Sequence, residues 1–432
     1  MKETTCCKAY REHFFIKIFV ITVLVFLLKM NLAGAAPFAY VTSTGNNIEP
    51  GTGAVFVIDT ANDNLTAMME IKGCPDKPAV TPDGKKIYVT DSGIGNTMVS
   101  VIYTEKYTLN TKVDVGGSSC GVAINPAGTR AYVVVRDSST VSAISTATNS
   151  VIDVLNAGND PWAVAVNPDG KKIYVTNRRG NTTSVIDTTT NNIIATVDVG
   201  DLPIGIAVTP DGKKVYVLNG RSNSVSVIDT ATNNVTTTIP VGTNPSEIAV
   251  TLNGKKVYVT NWEDNSISVI DTATDNVTTT IPVGTHPCGV AVTPDGTKVY
   301  VTNYDSNNVS VIDTATDNAI ATVDVEAHPI KIVFGPFMDS NMTNQSLKTS
   351  LNATENTEIK ETNFSSSDEK NVAKINNTNK NTNNNSEYNN GSGSRNGSSS
   401  RENESSKNNY APDFELLGSL TCLYTGWRLR KR

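Results

Sequence analysis

Two histidines and one cysteine carry the donor atoms of a metal site and share one local setting. His286 stands in THPCGV, His328 in AHPIKI and Cys74 in GCPDKP, each directly before a proline. The chain has only three histidines, and the third is His13 near the N-terminus. Imidazole nitrogens and a thiolate brought together from separate segments suit a transition metal. Cys120 and Cys288 lie two positions beyond the same place in their own segments, as additional sulfur donors. That place holds Ser118, Asp160, Leu202 and Asn244 elsewhere in the chain. Residues so unlike one another argue for a plain structural position, in which duplication of a neighbouring segment yields the second histidine. The expectation is therefore no cofactor, with a metal at this place as the alternative.

Other chemistry is sparse. The sequence has no phosphate-binding loop and no CxxCH heme attachment. Asp59, Asp187, Asp229, Asp271 and Asp313 invite an acid–base reading, but each precedes a threonine at the end of an apolar run, the place of a turn cap. Asn177, Asn219, Asn261 and Asn303 are read in the same way. Trp162 and Trp262 are the candidates for contact with a partner, and packing is the alternative for both.

A repeat positions all of these residues. Aligned on Tyr40, Tyr88, Tyr132, Tyr174, Tyr216, Tyr258 and Tyr300, its units are spaced by 48, 44, 42, 42, 42 and 42 residues. A period of this size marks a repeat architecture. One unit, residues 287–326, shows no helical period and splits into four short runs rich in Val, Ile, Thr and Tyr, separated by turns such as Pro294-Asp295-Gly296. Four antiparallel strands in each of seven units predict an all-β, seven-bladed β-propeller. The small apolar first run, as in GVAV or WAVAV, belongs at the axis. The threonine-rich fourth run, which contains Pro240 or Pro282, belongs at the rim, where an edge strand tolerates proline. The ring opens with a second strand, Phe38 to Ser43, and ends with a lone first strand, Pro329 to Phe334. Pairing those two closes the ring from both ends and sets the histidine position where inner strands enter the central channel.

The turn PDGKK (168–172 and 210–214), the strand Y-V-[TL]-N, the SVIDT strand and the asparagine-rich turn after it resemble the YVTN family of β-propeller repeats over about residues 37–336. That family occurs in archaeal surface-layer and other exported proteins. The units of Tyr88 and Tyr132 depart from the pattern, with Ile102-Tyr103 and Ile144-Ser145 in place of Ile-Asp and with AYVVV lacking the asparagine, so these blades are expected to be the irregular ones. The resemblance implies a non-catalytic displayed protein. It also implies a rival, because related propellers include lactonases and heme or copper oxidoreductases.

The ends read differently. Residues 1–35 place Lys2, Lys8 and Arg11 before the apolar run Ile18 to Leu28 and Ala33-Gly34-Ala35, the order of a secretory signal. An uncleaved anchor is the alternative, although this run is short of the ~20 residues a spanning helix needs. Removing five basic and two acidic residues with it moves the formal charge from -6 to -9. An acidic chain without basic runs argues against nucleic acid as a partner.

Residues 337–410 form an Asn/Ser/Thr-rich linker expected to stay unfolded. It carries sequons at Asn341, Asn344, Asn352, Asn363, Asn376, Asn384, Asn390, Asn396 and Asn403, which are glycan acceptors in an exported chain. Residues 411–432 run from Pro-Asp-Phe-Glu through an apolar stretch, Leu416 to Trp427, to a basic end, and are similar to C-terminal sorting signals of archaeal surface proteins. The combined expectation is an extracellular, cell-surface propeller on a glycosylated stalk, a surface-layer component or adhesion module. Its partners would be other cell-surface proteins or glycans, it would meet the membrane only through its termini, and it would not be an enzyme. The alternative is an exported enzyme, lactonase-like or metal/redox, with its site at the channel mouth.

Overall fold

The computed structural model describes residues 37–44, 52–93, 96–325 and 328–335. The expected signal, the sequon-bearing linker and the C-terminal segment lie outside the described residues. Within them, 28 strands, numbered β1 to β28 in chain order, form seven four-stranded antiparallel sheets. The closing blade joins the two ends of the ring: β28 (Pro329–Phe334) pairs with β1 (Phe38–Ser43), followed by β2 (Thr52–Asp59) and β3 (Asn64–Lys72). Tyr40 faces Val333 and Val41 faces Ile332 in that ladder. The closure is the one the repeat phase predicts.

Around the axis the inner strands follow one another as β4 (Pro75–Val80), β8 (Ser119–Ile124), β12 (Pro161–Val166), β16 (Pro203–Val208), β20 (Pro245–Val250), β24 (Pro287–Val292) and β28, which returns to β4. Each is bulged at its mouth end. In β12, for example, Pro161 faces Asn177 but Val164 faces Val175, so one extra residue is accommodated between them. A bulge leaves a residue out of the ladder and re-aims the side chains beside it. The second and third residues of the inner strands therefore have freedom that the rest of the sheet lacks.

Between blades the core is built on the repeated tyrosine, and all seven of these rings are fully buried. A buried tyrosine usually finds a partner for its hydroxyl; for Tyr88, Tyr216, Tyr258 and Tyr300 the next blade supplies one, whereas the Tyr174 hydroxyl has none among the described residues. Tyr216 donates to Asp275 at 2.7 Å, where Lys214 Nζ also binds at 2.8 Å. Tyr258 and Lys256 meet Asp317 in the same way, and Tyr300 and Lys298 meet Asp63 across the closure. Asp63, Asp275 and Asp317 all have left-handed backbones, with φ of 56°, 52° and 55°. Only Gly, Asn and Asp adopt that region readily, so one residue type serves both turn and latch.

The capping aspartates behave as expected: Asp229 Oδ1 accepts from the amides of Ala231 and Thr232 at 3.1 and 2.8 Å. The recurring asparagines do more than cap. Asn219 is completely buried and donates to Ser224 and Ser226 of the next strand at 3.2 and 2.9 Å, while Asn261 accepts from the Gly242 amide at 3.1 Å. They clamp the second strand to the loop that enters the inner one. The two divergent units are not irregular in pairing: Lys86 faces Tyr103 and Arg130 faces Ser145, the same register as Lys214 with Asp229. Backbone hydrogen bonds hold the ladder, so loss of a capping side chain does not shift it.

Candidate functional site at the channel mouth

The inner strands begin at one end of the channel, and before β12, β16, β20 and β24 the preceding residue has a left-handed backbone. Asp160, Leu202, Asn244 and His286 have φ of 55°, 56°, 51° and 55°. A left-handed backbone suits Asn or Asp and is costly for Leu or His. Side chains of the preceding blade hold the position: Asn181, Asn223 and Asn265 accept the amides of Leu202, Asn244 and His286 at 3.0, 2.9 and 2.8 Å. The slot can therefore carry a side chain chosen for something other than its turn propensity.

On one side of the mouth the two predicted histidines come together. His286 Nδ1 lies 2.5 Å from Asp305 Oδ2, and His328 Nδ1 is 3.9 Å from the other oxygen of that carboxylate. His328 Nδ1 donates to the Tyr304 carbonyl at 2.9 Å. Each ring is also stacked: His286 on Trp262 at 4.5 Å between centroids, and His328 on Tyr304 at 4.4 Å. Trp262, 7% exposed, is thus a platform for an imidazole. Cys74, the third predicted ligand, is disulfide-bonded and is not available as a thiolate. Among the described residues no three His, Cys, Asp or Glu side chains converge as a metal-binding set.

Trp162 lies elsewhere on the mouth, under arginines. The Arg178 guanidinium is 4.5 Å and that of Arg136 6.0 Å from its ring centroid. Asp160 gathers the same cations, with Nε of Arg178, Arg179 and Arg136 at 2.8, 3.6 and 4.0 Å from its carboxylate. Asp137 also lies 3.9 Å from Arg136 Nε, so the arginines and their carboxylates form an ion-pair group over the Trp162 ring.

Just inside, where the bulges re-aim the strands, lies a cluster that repeat reasoning misses. Lys77 of β4 and Lys331 of β28 both reach the same oxygen of Glu247 on β20, at 3.2 and 2.8 Å. Two inner strands, β24 and β28, separate β20 from β4 along the ring, so the Lys77–Glu247 pair crosses the channel. Burial pushes the Glu247 carboxyl up, but Lys331 and Lys77 outweigh it and hold it down at about 2. Asp76 beside Lys77 shifts the other way: burial raises it against the pull of Lys331 and Lys77. Cys120 and Cys288 face neighbouring backbone rather than the mouth, Cys288 Sγ lying 3.1 Å from the Ile330 carbonyl. Burial pushes their thiols up to about 12 and about 11. The signal available in the sequence was that the third inner-strand residue is Gly or Ala in four units but Lys77, Glu247 and Lys331 in the others.

The model of the cytochrome D1 heme domain matches residues 169–287, a span that contains His286 and the strands on either side of Arg178 and Trp262. No curated protein sequence matches the chain. Among solved structures the chain is similar to Kuenenia stuttgartiensis hydrazine synthase, at 21% identity over 60% of this chain and 88% of that one, with a TM-score of 0.54. It is similar to the periplasmic gluconolactonase of Pseudomonas aeruginosa, at 16% identity over 70% and 100%, with a TM-score of 0.60. A Bacteroides uniformis protein assigned provisionally as a 6-phosphogluconolactonase gives 17% identity over 69% and 99%, also at 0.60. At such identities these likenesses establish the propeller fold. Two expectations are nevertheless corrected. The expected non-enzyme has neighbours named as enzymes, and the expected lack of a cofactor is overturned by the match to a heme domain. The physical reason is visible at the mouth, where imidazoles, guanidiniums and a cross-channel ion cluster replace the uniform side chains of a purely structural ring.

Proposed function

We propose that this chain is an exported propeller enzyme of redox type that binds a heme at the channel mouth. One observation carries the reading: the region matching the heme-domain model, residues 169–287, takes in His286, whose Nδ1 is held by Asp305. An imidazole tied through Nδ1 keeps Nε2 as its ligating nitrogen, and a carboxylate partner fixes the ring and increases its basicity. His328, tied through Nδ1 to a backbone carbonyl, has the same form. The donor set therefore fits a heme, which needs one or two axial ligands rather than a cage. A bound heme would supply one-electron chemistry at its iron.

The chain's own residues do the rest. Trp262 and Tyr304 hold the imidazole planes by stacking, Asp305 orients His286, and the half-exposed Arg136 would be the cation nearest to a cofactor carboxylate at Trp162. The acidic composition and signal-like N-terminus support export, and the Pseudomonas neighbour is named as periplasmic. Titration of the purified chain with hemin tests the reading. Saturable binding with an absorption spectrum of histidine ligation is expected, lost in His286→Ala and retained in His13→Ala. No binding, or a spectrum unchanged in His286→Ala and His328→Ala, overturns it.

A further inference from the structure

We propose that the cross-channel cluster of Lys77, Lys331, Glu247 and Asp76 is a binding site for a small monocarboxylate. The argument is independent of the heme site and rests on hydrogen-bond capacity. A lysine ammonium has three N–H donors and no acceptor. Lys331 spends one on Glu247 Oε2 at 2.8 Å and one on the Cys288 carbonyl at 2.7 Å, and Lys77 spends one on Glu247 at 3.2 Å. Three N–H donors on these two lysines thus meet no acceptor among the described residues. The Asp76 carboxyl, on the strand of Lys77, has no hydrogen bond or ion pair among them either; only its backbone carbonyl is engaged, by Thr42 at 2.6 Å.

Charge points the same way. Within ion-pair distance two ammonium groups share a single carboxylate, Glu247, while burial disfavours the charged form of Asp76 beside them, so three ammonium N–H donors stand without a matching acceptor. Enclosed charge without a counter-charge is costly, so the missing component is an anion of single charge that accepts several hydrogen bonds. Glu247 shows which group the lysines take: both grip one carboxylate oxygen between them. The side chains of Lys77, Lys331 and Glu247 are only 13–15% exposed, which restricts the ligand to something the size of formate or acetate. The second residues of neighbouring inner strands, Cys120 and Cys288, are buried against backbone and offer the ligand no competing charge.

Calorimetric titration of the full-length protein with sodium acetate, and with sodium formate, tests the site. Saturable binding of one anion per chain is expected. Lys77→Met should weaken it about tenfold or more, the worth of a hydrogen bond to a charged group. Asp76→Asn, which keeps the shape and an N–H donor, should bind at least as tightly as the native protein at neutral pH. Glu247→Gln should tighten binding, because it removes the internal competitor for the same lysines. A melting curve for each variant reports folding, and if Glu247→Gln does not fold, Lys77→Met and Asp76→Asn decide. Absence of saturable binding overturns the proposal, as does equal binding in Lys77→Met, which would mean surface association only.

Discussion

At the scale of single residues, the latch between blades makes the sharpest demand. Asp275 must adopt φ of 52° and accept from both Tyr216 and Lys214. Asp275→Ala loses the acceptor for a buried hydroxyl and an ammonium and places a Cβ-bearing residue without local hydrogen bonding in the left-handed region. We expect a loss of about 2–3 kcal/mol in urea unfolding. Asp275→Asn keeps the turn and an acceptor, as Asn149 does for Tyr88 at 2.7 Å, and should cost less than about 1 kcal/mol. Equal losses for the two would mean that the turn alone matters. The thiols give a second prediction. Cys120 and Cys288 are free, 5% and 6% exposed, and raised by burial to about 12 and about 11. Since the thiolate is the nucleophile, a thiol reagent at pH 8 should label neither until the protein is unfolded; rapid labelling of the native chain would contradict that burial.

At the scale of elements, β28 is the piece on which the ring depends. It supplies the inner strand of the closing blade, pairs with β1, and contributes Lys331 to the cross-channel cluster. Ending the chain at residue 328 exposes the free edge of β1 and leaves Glu247 one lysine short. The truncated protein should lose its single cooperative melting transition, and a truncation that melts as high and as sharply as the full chain would refute the closure. Outer strands carry no such burden. In β19 (Asn234–Pro240) and β23 (Asn276–Pro282) exposed and part-buried threonines alternate, and each strand ends in an exposed proline. A rim of this kind blunts edge pairing.

At the scale of the whole molecule, the channel cluster couples stability to pH in two opposing ways. Glu247 is held at about 2 in the folded state against an ordinary value of 4.5. Its contribution is therefore fully present above pH 4.5 and is lost as pH falls towards 2, because the unfolded chain binds the proton first. Asp76 is raised, so its ionised form costs stability above its folded value and protonation relieves that cost as pH falls. Asp76→Asn should accordingly melt higher than the native protein at pH 7–8, with the gain shrinking at pH 4. Glu247→Gln should melt lower at pH 7, by an amount on the order of 3 kcal/mol for a broken buried pair, and show a flatter acid limb between pH 4.5 and 2. A native pH profile with no difference from these variants would show that the cluster is solvated and energetically idle.

The periodic part of the sequence was sufficient for the periodic part of the protein. Seven tyrosine phrases, a turn every few residues and a displaced first strand led to the blade count, the strand order and the closure, because packing and ladder register depend on local patterns that recur at a fixed spacing. The histidine position was also legible, since His286 and His328 broke the repeat at equivalent places. Asp305, Tyr304 and the arginine group around Asp160 were not, because they sit on loops between strands and gain meaning only from which blade lies next to which. The channel cluster was the least legible of all. Lys77, Glu247 and Lys331 are distant in sequence and lie on strands that are not all neighbours in the ring. Closing seven blades around one axis is what brings their charges within ion-pair distance, and that circular closure, rather than any motif, decided which of these side chains meet.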